Sequence, residues 1–173
     1  CLTFAHQNIE VKGENFKIVP QITFGAKAFH FSQDKNNKYK QITKINFLSL
    51  PQNSKVFISF GEIDCRPNEG FITAAEKLSE TLEDLIDKTV AGYVQWFVKQ
   101  NEKSNHRLYF FNVPAPIYNK EYRADVNFKV ARAVDLFNKK LKKCLLKNNL
   151  DLVDLFCFTA GNNGFSNELF HLD

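Results

Sequence analysis

A chain of 173 residues that is 44% hydrophobic and 14% aromatic, with 18 Phe and no Met, is one domain by length. Its aromatic load needs a packed interior, which excludes a disordered tail or a coiled coil. The net charge of +4, from 23 basic and 19 acidic side chains, is too mild to suggest a polyanion partner.

Much of the basic excess falls at Lys139, Lys140, Lys142, Lys143 and Lys147, near the end of an amphipathic segment. There it solvates a helix face and complements the helix dipole. A nucleic-acid interface would need a basic stripe interleaved with exposed aromatics, and none is visible. No apolar run approaches the roughly eighteen residues of a membrane helix. The opening residues CLTFAHQNIEVKG lack the basic flank and small-residue cleavage site of a signal peptide. Four cysteines, Cys1, Cys65, Cys144 and Cys157, stand far apart without a CxxC pair. Free thiols in a reducing, cytoplasmic compartment are therefore expected, with no metal site.

Strand and helix signals alternate along the chain. Phe16 to Ile22 reads as a strand that Pro20 demotes toward an edge or a bulge. Lys38 to Leu50 carries Ile42, Ile45 and Leu48 at helical spacing and stops at Pro51. Lys55 to Phe60 is a continuous β-branched and aromatic run, the pattern of a parallel strand buried on both faces. Thr73 and Glu76 form a capping-box pattern at the start of a long helix. Its predicted apolar face is Leu78, Leu82, Leu85, Val90, Val94 and Phe97, with Gly92 as a weak spot. Arg107 to Val113 is the next strand, ended by Pro114 and Pro116. Val126, Val130, Val134, Phe137, Leu141 and Leu145 trace the clearest helix, closed by Asn148-Asn149. Leu150 to Phe158 makes a last strand, followed by a loop at Gly161 to Gly164. Alternating strands and helices with long crossovers imply parallel pairing and right-handed connections. The expected architecture is a three-layer, flavodoxin-like α/β/α sandwich with a mainly parallel sheet, spanning residues 1–173 as a single domain.

In such sheets ligands bind outside the carboxyl ends of the strands. That edge comprises Thr23 to Ala26, Gly61 to Arg66, Asn112 to Pro116 and Thr159 to Asn163. Glu62, Asp64 and Arg66 directly behind a buried strand are costly unless paired or used. Composition favours an Asp64–Arg66 or Glu62–Arg66 ion pair that pins the loop; the other reading is a ligand site. No GxSxG elbow, Walker loop or GxGxxG occurs. Ser59 is expected as a core hydroxyl and Cys65 as a buried, inert thiol. His6 and His106 read as surface or helix-end residues, whereas His30 and His171 lie nearer the active edge.

The order of Gly25 after a strand, Gly61-x-x-Asp64 after a buried strand, and Leu172-Asp173 at the end resembles the SGNH, or GDSL-type, hydrolases. The segment GEIDCR is similar to a variant found in a bacterial subgroup of that family. The resemblance implies a serine esterase in which Ser attacks, His is the base and Asp orients it, while backbone and side-chain donors hold the oxyanion. It implies an acyl ester substrate, such as an O-acetylated carbohydrate, and no cofactor. Gly25 matches the family's lone oxyanion glycine, and Gly61 with Asp64 matches its third motif. Ile63 stands where the family carries Asn, so that donor is lost or supplied otherwise, as by Arg66. The nucleophile box would precede Cys1. Asp173 fits the first position of the Asp-x-x-His motif, whose His would follow it; Glu168 and His171 give a second register. On this reading the chain lacks its first strand and its C-terminal His segment. Oligomeric state is left open.

Overall fold

A computed structural model describes residues 6–11 and 13–166. Its sheet content falls in two places. Strands β1 (Asn8–Val11) and β2 (Glu14–Lys17) form an antiparallel hairpin, with Asn8 opposite Lys17 and Val11 opposite Glu14. Strands β3 (Lys55–Ile58), β4 (Arg107–Phe111) and β5 (Asp151–Val153) form a parallel sheet in the order β3-β4-β5. Between and after them lie α1 (Ala28–Ser32), α2 (Lys38–Leu48), α3 (Phe71–Leu78), α4 (Leu82–Asn101), α5 (Ala124–Lys147) and α6 (Leu155–Thr159). A single 3-10 turn covers Ile63–Cys65. The chain is thus a mixed α/β protein with a parallel sheet.

The expected first strand is corrected in both place and partner. The strand at Phe16 ends at Lys17 and belongs to the hairpin, not to the parallel sheet. Ile18 still donates its amide to Gln7 O, but Pro20 has no N–H with which to carry a ladder onward.

The long helix predicted from Thr73 is two helices. Thr73 is not a cap: its hydroxyl donates to Pro67 O from inside α3, whose cap position is Gly70. The break comes at Ser79, in the left-handed region at φ 52°, and α4 restarts at Thr81, whose hydroxyl accepts from the Asp84 amide. Gly92 stays helical. A Cβ there would sit 2.7 Å from Ser32 Cα, so its missing side chain is what lets α1 lie against α4.

Helix α2 lies where its pattern puts it but turns a different face inward. Lys40, Thr43 and Phe47 are buried, while Ile42, Ile45 and Leu48 are exposed. The last strand is short, because Asp154 accepts from the Cys157 amide and caps α6 within the stretch expected to stay extended.

Helices α4 and α5, which connect β3 to β4 and β4 to β5, pack together against the sheet. The core forms there. Ile58, Leu108 and Phe110 from the strands meet Val90, Tyr93 and Phe97 of α4, and Val134, Phe137 and Leu141 of α5 join them. Its centre is aromatic, with ring centroids of Phe31–Phe60 at 4.7 Å and Tyr93–Phe110 at 5.6 Å. On the opposite face Phe57 stacks on Tyr109 at 4.8 Å and lies 5.8 Å from Phe111. Phe57 remains 54% exposed, so β3 is not buried on both faces as its composition suggested. Ser59 is likewise exposed just beyond the end of β3 rather than a core hydroxyl. His106 corrects in the other sense. It is buried, its Nδ1 accepts from the Ser54 amide, and its ring meets Phe47 edge-on at 4.9 Å.

Candidate functional site at the carboxyl edge of the sheet

Two motif segments meet beside the end of β3, and a carboxylate joins them. Asp64 is 1% exposed, and its oxygens accept from the amides of Ala28 at 2.7 Å and Phe29 at 3.0 Å. These are the first amides of α1, which have no partner within the helix. The Gly61-to-Arg66 loop is thereby fixed against the segment that follows Gly25. Burial pushes the Asp64 carboxyl up to about 6, opposed by the two amides and by Lys27. With both oxygens engaged and no histidine bonded to them, Asp64 is a positioning residue.

The two glycines have different reasons to be glycine. Gly25 lies in a turn at φ 67°, where Ala26 donates to Thr23 O, and its own amide makes no hydrogen bond among the described residues. Gly61 lies at φ 120°, and a Cβ there would stand 2.6 Å from the Phe137 ring. It is thus needed both for its backbone angle and for the approach of α5. Gly70 closes the loop from behind, since a Cβ on it would meet the Asp64 carbonyl oxygen.

Arg66 points outward. Its guanidinium donates to both Glu62 carboxylate oxygens, at 3.1 and 3.0 Å, and to Glu69 at 3.2 Å. Of the two pinning pairs considered, the Glu62–Arg66 pair is the one that forms. Arg66 is thus held by two carboxylates at the outer side of the loop. Cys65 is 2% exposed and burial raises its thiol well above the usual range, which makes it inert.

The remaining edge loops are locked by side-chain amides that the sequence reading passed over. Asn112 donates to Asp154 at 2.7 Å and accepts from the Phe156 amide at 3.0 Å. Asn138 of α5 bonds both the amide and the carbonyl of Val113, and Thr159 accepts from the Ala115 amide. The Asn112-to-Pro116 and Thr159-to-Asn163 segments are thus tied together, and Gly61 lies close to Val113. Asp154 was detectable as a cap followed three residues later by the amide it binds; Asn112 and Asn138 carried no local signal. A shallow cavity of about 150 Å³ opens beside Asn112, Asn138 and Phe156. A second groove, of about 460 Å³ and lined by Lys40, Lys44, Ile45, Trp96 and Gln100, lies between α2 and α4 away from this edge.

His30 lies on α1, next to the Phe29 amide that Asp64 holds. Its Nδ1 accepts from the Lys27 amide at 3.0 Å, and its ring stacks on Tyr39 with centroids 3.9 Å apart. Burial, then Lys27 and Lys38, lower its pKa from the usual value, so the ring stays neutral. Among the described residues no serine hydroxyl bonds a histidine, and no group of three His, Cys, Asp or Glu side chains could hold a metal. No described helix is long and apolar enough to cross a membrane. Glu168, His171 and Asp173 lie outside the described residues. No protein-family model matches the chain, and neither does any curated protein or solved structure.

Proposed function

We propose that the chain is the larger part of an SGNH-like domain that hydrolyses acyl esters, with an O-acetylated carbohydrate as the substrate class. The observation that carries this reading is the pairing of its two internal motifs across an open edge of β3. Residues 14–29 and 55–64 are tied at both ends. At one end Lys55 meets Glu14 at 3.7 Å and the Phe16 ring at 3.9 Å; at the other Asp64 holds Ala28 and Phe29. Between those ties no described strand pairs with the outer edge of β3. Arg107 N bonds Ser54 O, so in the alternating parallel pattern Lys55 and Phe57 direct their amides outward. A further parallel strand on that edge would end between Gly25 and Gly61, where the family carries its nucleophilic Ser. A helix layer over Phe57, Tyr109 and Phe111 would complete the flavodoxin-like sandwich. In this reading Gly25 donates its amide to the oxyanion, Asp64 and Gly61 position the edge, and Asp173 orients the histidine base.

The test is to expose the full-length protein to a fluorophosphonate probe and an aryl acetate. Covalent labelling of one serine together with acetate release is the expected result. The absence of both labelling and turnover would sink the esterase reading. A second reading, a non-catalytic glycan- or protein-binding module on the same fold, is favoured by one observation. Ile63, which has no side-chain donor, occupies the oxyanion Asn position, and Arg66 is held by two carboxylates. Binding of acetylated glycan without turnover would select that module.

A further inference from the structure

We infer that Tyr39 and His30 form, with the Gly25 turn, a donor site for an acyl oxygen: the carbonyl of a bound ester or the carboxylate released from it. The inference rests on the esterase reading for its substrate class, and it names residues that no motif assigns. Three observations meet at one place. A Cβ built on Gly25 would lie 3.9 Å from the Tyr39 hydroxyl, which puts that hydroxyl beside a turn whose amide has no hydrogen-bond partner among the described residues. The Tyr39 hydroxyl itself makes no hydrogen bond among the described residues, although the side chain is partly buried. The ring stacks on His30, nearly parallel at 10°, and the Lys38 ammonium lies 5.0 Å from its centroid.

The chemistry of the cluster is one-sided. Because His30 Nδ1 accepts the Lys27 amide, the proton of the neutral ring sits on Nε2, which can donate and cannot act as a base. Tyr39 can donate its hydroxyl proton, and Gly25 its amide. Lys27 and Lys38 add positive charge near the ring. Asp64 is engaged by the α1 amides and Glu69 by Arg66 and Lys27, which leaves Asp34, near Lys40, as the neighbouring carboxylate. A cluster in which donors predominate fits a ligand oxygen. Simple ring packing would explain the stack, and it leaves the Tyr39 hydroxyl beside the exposed Gly25 turn open to a ligand. The cluster also offers what Ile63 withdraws, a side-chain donor next to the oxyanion glycine.

Acetate is the probe, titrated into the full-length protein while the His30 ring nitrogens and the Tyr39 ring are followed by NMR. Saturable shifts at both residues are expected. Tyr39→Phe, which keeps the ring and the stack, should weaken acetate binding about fivefold to tenfold, the effect of one hydrogen bond. It should leave the unfolding midpoint unchanged. In kinetics on an aryl acetate the same variant should lower kcat/KM. If the protein turns over the ester while acetate leaves His30 and Tyr39 unmoved, this site is refuted and the esterase reading stands. If acetate titrates both rings and no ester is cleaved, the esterase reading fails and the donor site remains.

Discussion

Asp64 is the residue at which the local chemistry of the edge can be measured. Its position behind a strand marked it as costly unless paired, and that much was legible. Its partners were not, because the Ala28 amide is 36 residues away in sequence and carries no side-chain signal. Burial holds the folded-state carboxyl at about 6, above the ordinary 3.8. The native state therefore binds the proton more tightly than the unfolded chain. The stability this gives is fully present below about pH 3.8 and is lost as pH rises through about 6, a swing of about 3 kcal/mol. Asp64→Asn has no such proton to bind. Urea unfolding of both proteins should show the wild-type advantage over Asp64→Asn growing by about 2–3 kcal/mol from pH 7 down to pH 4. A difference that does not change with pH would mean that the two amides compensate the burial in full.

At the scale of elements, the periodic signals were reliable where burial is one-sided. The α5 stripe from Val134 to Leu145 is buried as read, and so are Leu85, Val90, Val94 and Phe97 of α4. The reading failed where neighbours decide. Ile42, Ile45 and Leu48 make an apolar stripe on α2, yet Phe47 is what meets Phe97 and His106, so the helix turns that way. Propensity marked Gly92 as the weak spot of one long helix, but the break comes at Ser79 and Thr81, which supply the stop and the new cap, and Gly92 serves contact with α1 instead. This makes Gly92→Ala a test of which effect wins. Helix propensity would favour Ala by about 1 kcal/mol. The added methyl would lie 2.7 Å from Ser32 Cα and 2.8 Å from its Cβ, and backbone has little room to yield. Overpacking of this kind costs about 1–3 kcal/mol, so a net loss in the denaturant midpoint is expected. A gain would show that α1 is free to shift away from α4.

Across the whole molecule, stability is unevenly distributed. The parallel sheet was legible because β3, β4 and β5 each carry dense apolar runs. That α4 and α5 share one sheet face was not, because it follows from the spatial order β3-β4-β5, which one sequence does not display. That order gathers α4, α5 and the buried sheet face into one cluster around Phe97, Phe110 and Phe137. The β1–β2 hairpin stands apart from it. Its described ties to the sheet are the Lys55–Glu14 pair, 41% and 72% exposed at the side chains, and the Lys55 ammonium over Phe16. An exposed ion pair contributes about 0–1 kcal/mol and is screened by salt, and a surface cation over an aromatic ring adds about 0.5–1 kcal/mol. Local opening of the hairpin therefore needs far less free energy than opening of β4. In native-state hydrogen exchange the amides of Asn8–Val11 and Glu14–Lys17 should exchange orders of magnitude faster than those of Leu108–Phe110. Raising salt should accelerate the hairpin while leaving β4 unchanged, since the buried strand is held by apolar contacts and ladder bonds. Lys55→Ala should have the same selective effect as salt. If hairpin and β4 amides instead exchanged together, the hairpin would be part of the cooperative core and the two Lys55 contacts would not be what holds it.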